Sequence, residues 1–389
     1  MKMKFSLKNM QTNEEFIFSG KEGKSGQVAV DLTDLYSKTG IMCYDEGLQS
    51  TALFESSVCF IDGKHGILKY RDYDIQKLVQ NNDLFDVAYL LIFGQLPDKK
   101  TKNTFKSDIL RHMKGVAFLY PFVRLLDLSK STIDNFKILF SAYTAQYGNV
   151  ETKSLIYQLM ADFPLLVYMA CTKKMPVAYQ DTFGSSFLKN YLKPEKINQN
   201  ILDAFDKFLI LHAEHEQNAS TFIVQACEMT ENNLLNCMLT GIASLEGQYH
   251  GGASEKAFTQ LRDNDDMERL VLNAKQSGCK LAGFGHRIYK VADPRAVILK
   301  DLCKKINPED KLLKKAVYLE DLVRGDDYFN RRDICPNLDL YSGIFLESLG
   351  IPANLSILMF IMARFIGWIA HYQELQLKPR KIIRPRQVY

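Results

Sequence analysis

The chain lacks a marked excess of either charge. Its 49 lysines and arginines face 45 aspartates and glutamates across 389 residues, a net +4, too weak to hold a nucleic acid or a lipid surface by bulk charge. An anionic ligand therefore needs its own local cations. Cysteine patterning is also missing. Cys43, Cys59, Cys171, Cys227, Cys237, Cys279, Cys303 and Cys335 are scattered without a C-x-x-C pair, which argues against a disulfide framework and for free thiols in a reducing, cytoplasmic setting. The basic residues 1–8 have no apolar stretch behind them, unlike a secretory signal. The most apolar run, residues 357–370, is broken by Arg364 and is shorter than the roughly 20 residues that span a bilayer. Glycine (22) and proline (11) are too scarce for a collagen-like or disordered chain.

What is present is a globular composition, 47% hydrophobic and 24% charged, in a length that suits two to three domains of roughly 150 residues. Short alternating runs, Glu15-Phe16-Ile17-Phe18 and residues 27–31, punctuated by Gly20, Gly23 and Gly26, predict strands and turns at the start. From Tyr70 the apolar residues Ile75, Leu78, Val79, Phe85, Val87, Ala88, Leu90 and Leu91 recur at helical spacing, so the body is expected to be mainly α. Gly94 with Pro97, and Gly350 with Pro352, mark helix ends. Residues 355–370 are apolar around the whole helical circumference, the mark of a helix buried in a bundle or at a subunit interface. The charged stretches 304–315 and 320–333 read as solvated faces.

Four histidines, His212, His215, His250 and His286, lie in segments rich in glycine, serine, asparagine or acidic residues rather than in apolar runs. His212 and His215 share a helical face, but there is no H-E-x-x-H pattern and no third ligand nearby, so a metal site is not indicated. Around His250, the glycines of GQYHGGA leave room for a substrate to reach the ring and the backbone. GFGHRIYK has a G-x-G that does not continue as a dinucleotide fingerprint. In DPRA, Arg295 either binds a carboxylate bidentately or pairs with a nearby acid. In NLDLYSG, Asp339 sits between apolar neighbours; it is either a general base with a raised pKa or the cap of the following helix. The basic run 378–386 reads on its own as an exposed tail.

Taken together, YRDYDI (70–75), HAEHEQNAST (212–221), GQYHGGA (247–253), GFGHRIYK (283–290), DPRA (293–296), NLDLYSG (337–343), GIP (350–352) and RPRQVY (384–389) resemble the citrate synthase family in its longer bacterial, si-type form. The resemblance implies a mainly α, two-domain helical fold with a small β-rich N-terminal domain. The implied division is 1–50 for that domain, 51–250 plus 351–389 for a large helical domain, and 251–350 for a small helical domain closing over the site. It implies condensation of acetyl-CoA with oxaloacetate and hydrolysis of the thioester, a step of the tricarboxylic acid cycle. The related alternative is 2-methylcitrate synthase acting on propionyl-CoA, and the remote one is a silent homologue with an assembly role.

By motif position, the resemblance makes Asp339 the base, His250 the hydrogen-bond donor to the thioester oxygen and His286 the group that polarises the oxaloacetate ketone. His215, Arg295, Arg364 and, from a second subunit, Arg384 would hold the carboxylates. Gly283, Phe284, Gly285, Tyr289 and Lys290 would contact coenzyme A. No metal or permanently bound cofactor is implied, coenzyme A thioester being a substrate. The implied partner is a second copy in a homodimer or a hexamer, with no nucleic acid and no membrane. Departures from the family pattern fall at Asp72, Gln225, Glu246, Gln248 and Ser254, none of them a proposed chemical position.

Overall fold

A computed structural model describes residues 3–177, 183–248, 250–379 and 381–389. Two compact units emerge: residues 1–56 with 384–389, and residues 57–383. In the first, strands β1 (Lys4–Lys8), β2 (Glu15–Glu22) and β3 (Val28–Val30) form an antiparallel sheet. Its register sets Phe5 opposite Phe18 and Leu7 opposite Phe16, so alternation gathers these four on one face. Phe18 is buried and Ile17 is exposed. The strands expected at 15–18 and 27–31 are therefore present.

The second unit opens with a hairpin, β4 (Cys59–Asp62) and β5 (Ile67–Tyr70), joined by the short β6 (Tyr73–Asp74). Helices follow, each started by local chemistry. Asp74 accepts the Gln76 N–H, and Asp83 and Asp86 form a reciprocal capping box for the helix Leu84–Phe93, which Gly94 ends at φ +88°, as the sequence predicts. At the hairpin turn, Gly63 lies directly against the loop after His286. A Cβ at Gly63 would fall 2.2 Å from the Ile288 carbonyl oxygen, and the Gly63 carbonyl accepts the Lys290 N–H at 2.8 Å. Gly63→Ala is expected to destabilise the fold by about 1–3 kcal/mol, the usual range for overpacking. The readout is a lower urea midpoint, and an unshifted midpoint would contradict it.

Helix Ser356–Gln376 runs through the centre of this unit. With the preceding turn it forms an apolar span, Ala353–Gln376, that is long enough to cross a bilayer, as is Thr152–Thr172. The sequence reading that the C-terminal apolar run is too short is thus corrected, because the helix continues past it. Both spans are packed inside the protein, 83% and 89% buried in their most apolar windows. The helix Lys311–Arg324 has the expected solvated face but buries Glu320, which pairs with Lys300 at 2.9 Å and receives the Tyr341 hydroxyl.

Candidate active site

Helix ends and loops of the 57–383 unit enclose a cavity of about 150 Å3. His212 and His215 reach it from the end of helix Gln199–His212 and the turn beyond, while His250 comes from the turn before helix Ala253–Asp263 and Ser254 from its first turn. His286 comes from a loop, Arg295 from helix Pro294–Ile306 and Asp339 from helix Asp339–Ser348. Phe360 and Arg364 come from the central helix. Groups far apart in sequence thus line one cavity.

His286 has a defined tautomer. Its Nδ1 accepts the backbone N–H groups of Ile288 (3.0 Å) and Tyr289 (3.1 Å). The neutral ring must therefore carry its hydrogen on Nε2. Burial, with the Arg295 charge added, lowers its pKa to about 4, so the ring is a neutral donor at physiological pH. His250 is likewise lowered to about 4, by burial and then by Arg364. Its Nε2 lies 3.0 Å from the Ser220 hydroxyl, which donates to Asn218 Oδ1 at 2.8 Å. That carboxamide oxygen already accepts the Thr221 N–H. When the serine proton turns to the histidine, His250 carries its own hydrogen on Nδ1. The glycine after His250 has a packing role as well as an open one: a Cβ on Gly251 would sit 2.3 Å from the Leu245 carbonyl oxygen.

Asp339 occupies the first turn of its helix, yet its carboxylate caps nothing. The residue before the helix, Leu338, has no capping side chain, and the Asp339 N–H donates to Asn337 Oδ1 at 3.0 Å. The capping alternative is thereby set aside. Burial raises the Asp339 pKa to about 6, against the opposing charge of Arg295. A carboxylate of that basicity, held beside two neutral imidazoles, is suited to take a proton from a weak acid.

The anion-holding side is built differently. Both readings of Arg295 apply: its Nε and Nη2 donate to the buried Asp293 at 3.0 and 2.7 Å, and the residue still lines the cavity. Burial would lower its pKa, but the Asp293 carboxylate outweighs that and raises it. Arg364 is 1% exposed, donates Nε–H to the His212 carbonyl at 2.8 Å and lies 4.7 Å over the Phe360 ring. Burial lowers its pKa to about 10, partly offset by Glu214, so it stays charged. His215 is held neutral by burial, then by Arg295. Its buried Nε2 has no protein partner. His212 is lowered to about 3 by burial and is anchored to the Phe208 carbonyl through Nδ1 at 2.8 Å.

His215, His286 and Asp293 place potential ligand atoms within 4.8 Å of one another. The chemistry of these donors suits an oxygen acceptor better than a cation. His286 presents an N–H, and both Asp293 oxygens are taken by Arg295.

The expected coenzyme A loop divides. Lys290 is exposed and Gly285 partly so, whereas Phe284 and Tyr289 are buried, at 7% and 1% exposure. Gly283 is buried against Leu340. Tyr289 turns inward, its ring 4.7 Å from His286 and 5.6 Å from His215, so it packs the imidazoles instead of offering a ligand surface. Arg384 belongs to the N-terminal unit, where it is exposed and its Nη1 donates to the Pro385 carbonyl at 2.6 Å. Sequence reasoning passed over Ser220, Asp293, Asn337 and Phe360. The first three stand inside the quoted motifs, and their position beside a nominated residue was the available signal.

Solved structures that share this arrangement of helices include three citrate synthases. The enzyme from Thermoplasma acidophilum, solved as a ternary complex with carboxymethyl coenzyme A and oxaloacetate, superposes with a TM-score of 0.80 at 27% identity, over 88% of this chain and 95% of that one. Citrate synthase from Thermotoga maritima gives 0.80 at 29% identity, over 89% and 96%. That from Pyrobaculum aerophilum gives 0.78 at 26%, over 95% and 94%. Residues 47–386 match the family described as citrate synthase, C-terminal domain. With sequence and architecture agreeing over most of its length, the chain belongs to the citrate synthase family.

Proposed function

We propose that the protein condenses acetyl-CoA with oxaloacetate and hydrolyses the resulting thioester to citrate and coenzyme A. The observation that carries this reading is the meeting of Asp339, His250 and His286 on one cavity with His215, Arg295 and Arg364 beside them. The Asp339 carboxylate removes a proton from the acetyl methyl, and His250 stabilises the developing enolate oxygen with its N–H. The methyl carbon then attacks the ketone carbon, the C=O π electrons moving to the oxygen held by the His286 Nε2–H. That oxygen takes up one proton to become the hydroxyl, balanced by the one that Asp339 removed and releases to solvent. Preorganised donors of this kind contribute about 10²–10³-fold each. Water finally cleaves the citryl thioester. The substrate carboxylates are taken by His215, Arg295 and Arg364, with Arg384 supplied by a second subunit. Carboxymethyl coenzyme A and oxaloacetate in the Thermoplasma relative support both substrates.

A free-thiol assay with acetyl-CoA and oxaloacetate tests the reading, and absence of coenzyme A release would reject it. Running the assay with propionyl-CoA measures acyl preference, because one methylene is worth about 1–3 kcal/mol in a fitted pocket. The pH profile is a sharper check. Asp339 must be ionised and titrates near 6, while both histidines are already neutral above about 4. kcat/KM is therefore expected to fall tenfold per pH unit below about 6, with one proton involved. A limb below 5 would exclude this assignment of the base.

A further inference from the structure

We infer that Asn337 is a positioning residue that fixes the electrophilic histidine relative to the base. The inference rests on the proposed condensation. Two segments carry the opposed chemistry: the loop 283–290 holds His286, and helix Asp339–Ser348 begins with Asp339. Asn337 touches both. Its Nδ2 donates to the Gly285 carbonyl at 2.8 Å, one residue before His286, and its Oδ1 accepts the Asp339 N–H at 3.0 Å. Its backbone N–H donates to the Gly283 carbonyl at 2.9 Å, and the Gly285 N–H returns to the Cys335 carbonyl at 2.7 Å, around a bridge between Phe284 and Pro336.

The backbone bonds join the segments in any case. The carboxamide adds a single side chain whose two ends address the two reacting residues, with a donor towards the loop and an acceptor towards the helix. Replacing it splits these functions. In Asn337→Asp the acceptor for the Asp339 N–H remains and the donor to Gly285 is lost. In Asn337→Ser a short neutral acceptor remains and cannot span to Gly285. Both variants cut the tie to the His286 loop, but only the first adds a charge near Asp339. A misplacement of about 1 Å between reacting groups costs on the order of a hundredfold. Oxaloacetate alone is held mainly by His215, Arg295 and Arg364, which the tie does not touch.

The test is kcat with both substrates, and oxaloacetate Kd by calorimetry, for wild type and the two variants. Both variants are expected to lose about 10- to 100-fold in kcat, with oxaloacetate Kd within about threefold and an unchanged Tm. The Asp variant alone should move the acid limb of the pH profile upwards, by like-charge repulsion. If kcat of either variant stays within twofold of wild type, the inference is overturned. It is equally overturned if kcat, Kd and Tm deteriorate together, the pattern of a purely structural residue. Wild-type protein that releases no coenzyme A would instead defeat the condensation reading itself.

Discussion

Asp339→Asn is expected to lower kcat by about 10³-fold, within the range attributed to a positioned general base, and at the same time to make the protein more stable at neutral pH. The two effects share one cause. Burial raises the Asp339 pKa from 3.8 to about 6, so the folded state holds that proton more tightly than the unfolded chain does. Stability then decreases as pH rises from about 4 to about 6, and above 6 the full cost of an ionised, buried carboxylate remains. At 1.36 kcal/mol per unit, the cost is about 2–3 kcal/mol. The amide carries no charge and avoids it. Urea unfolding at pH 7.5 should therefore favour the variant, and the advantage should vanish below about pH 4, where wild-type Asp339 is protonated in both states. A variant that turns over within tenfold of wild type would remove Asp339 from the chemistry; one that is less stable at pH 7.5 would show that its carboxylate has a structural partner.

The legible part of the molecule was the part governed by local rules. The terminator Gly94 and the alternation of Phe16 and Phe18 each act within a few residues, so their pattern alone places a helix end and a strand face. Likewise, a polar histidine amid small residues announces chemistry because burial in an apolar core would need none of that surrounding composition. What stayed hidden depends on where chains meet. Asp339 could have been a cap or a base until Asn337 was seen to hold its N–H. Arg295 could have faced a ligand or an acid until Asp293 was found on two of its nitrogens. Tyr289 lies in a loop whose glycines suggest exposure, yet its ring is drawn in by His286 and His215. Gly63 and Ile288 are far apart in sequence, and only their contact shows why the turn has no side chain.

Arg364→Leu is expected to raise the oxaloacetate KM by at least about thirtyfold, and Arg364→Lys by a smaller but clear factor. The reason is the charge inventory of the cavity. His212, His215, His250 and His286 are neutral at pH 7, and Arg295 is already matched by Asp293. Among the described residues lining the cavity, Arg364 is the cation without a carboxylate in ion-pair contact; Glu214, which supports its charge, is engaged with His371 at 3.0 Å. A dianion entering this space therefore finds its strongest attraction at Arg364, and losing a charged hydrogen-bonding partner from a buried site costs about 2–5 kcal/mol. Lysine restores the charge but neither the planar fork nor the Nε–H bond to the His212 carbonyl that aims it. One uncompensated cation also falls short of two carboxylates, which is the electrostatic case for a second arginine arriving from outside this unit, the part proposed for Arg384. The measurement is oxaloacetate affinity by calorimetry with KM alongside, and leucine at 364 binding within threefold of wild type would show that the dianion is held elsewhere.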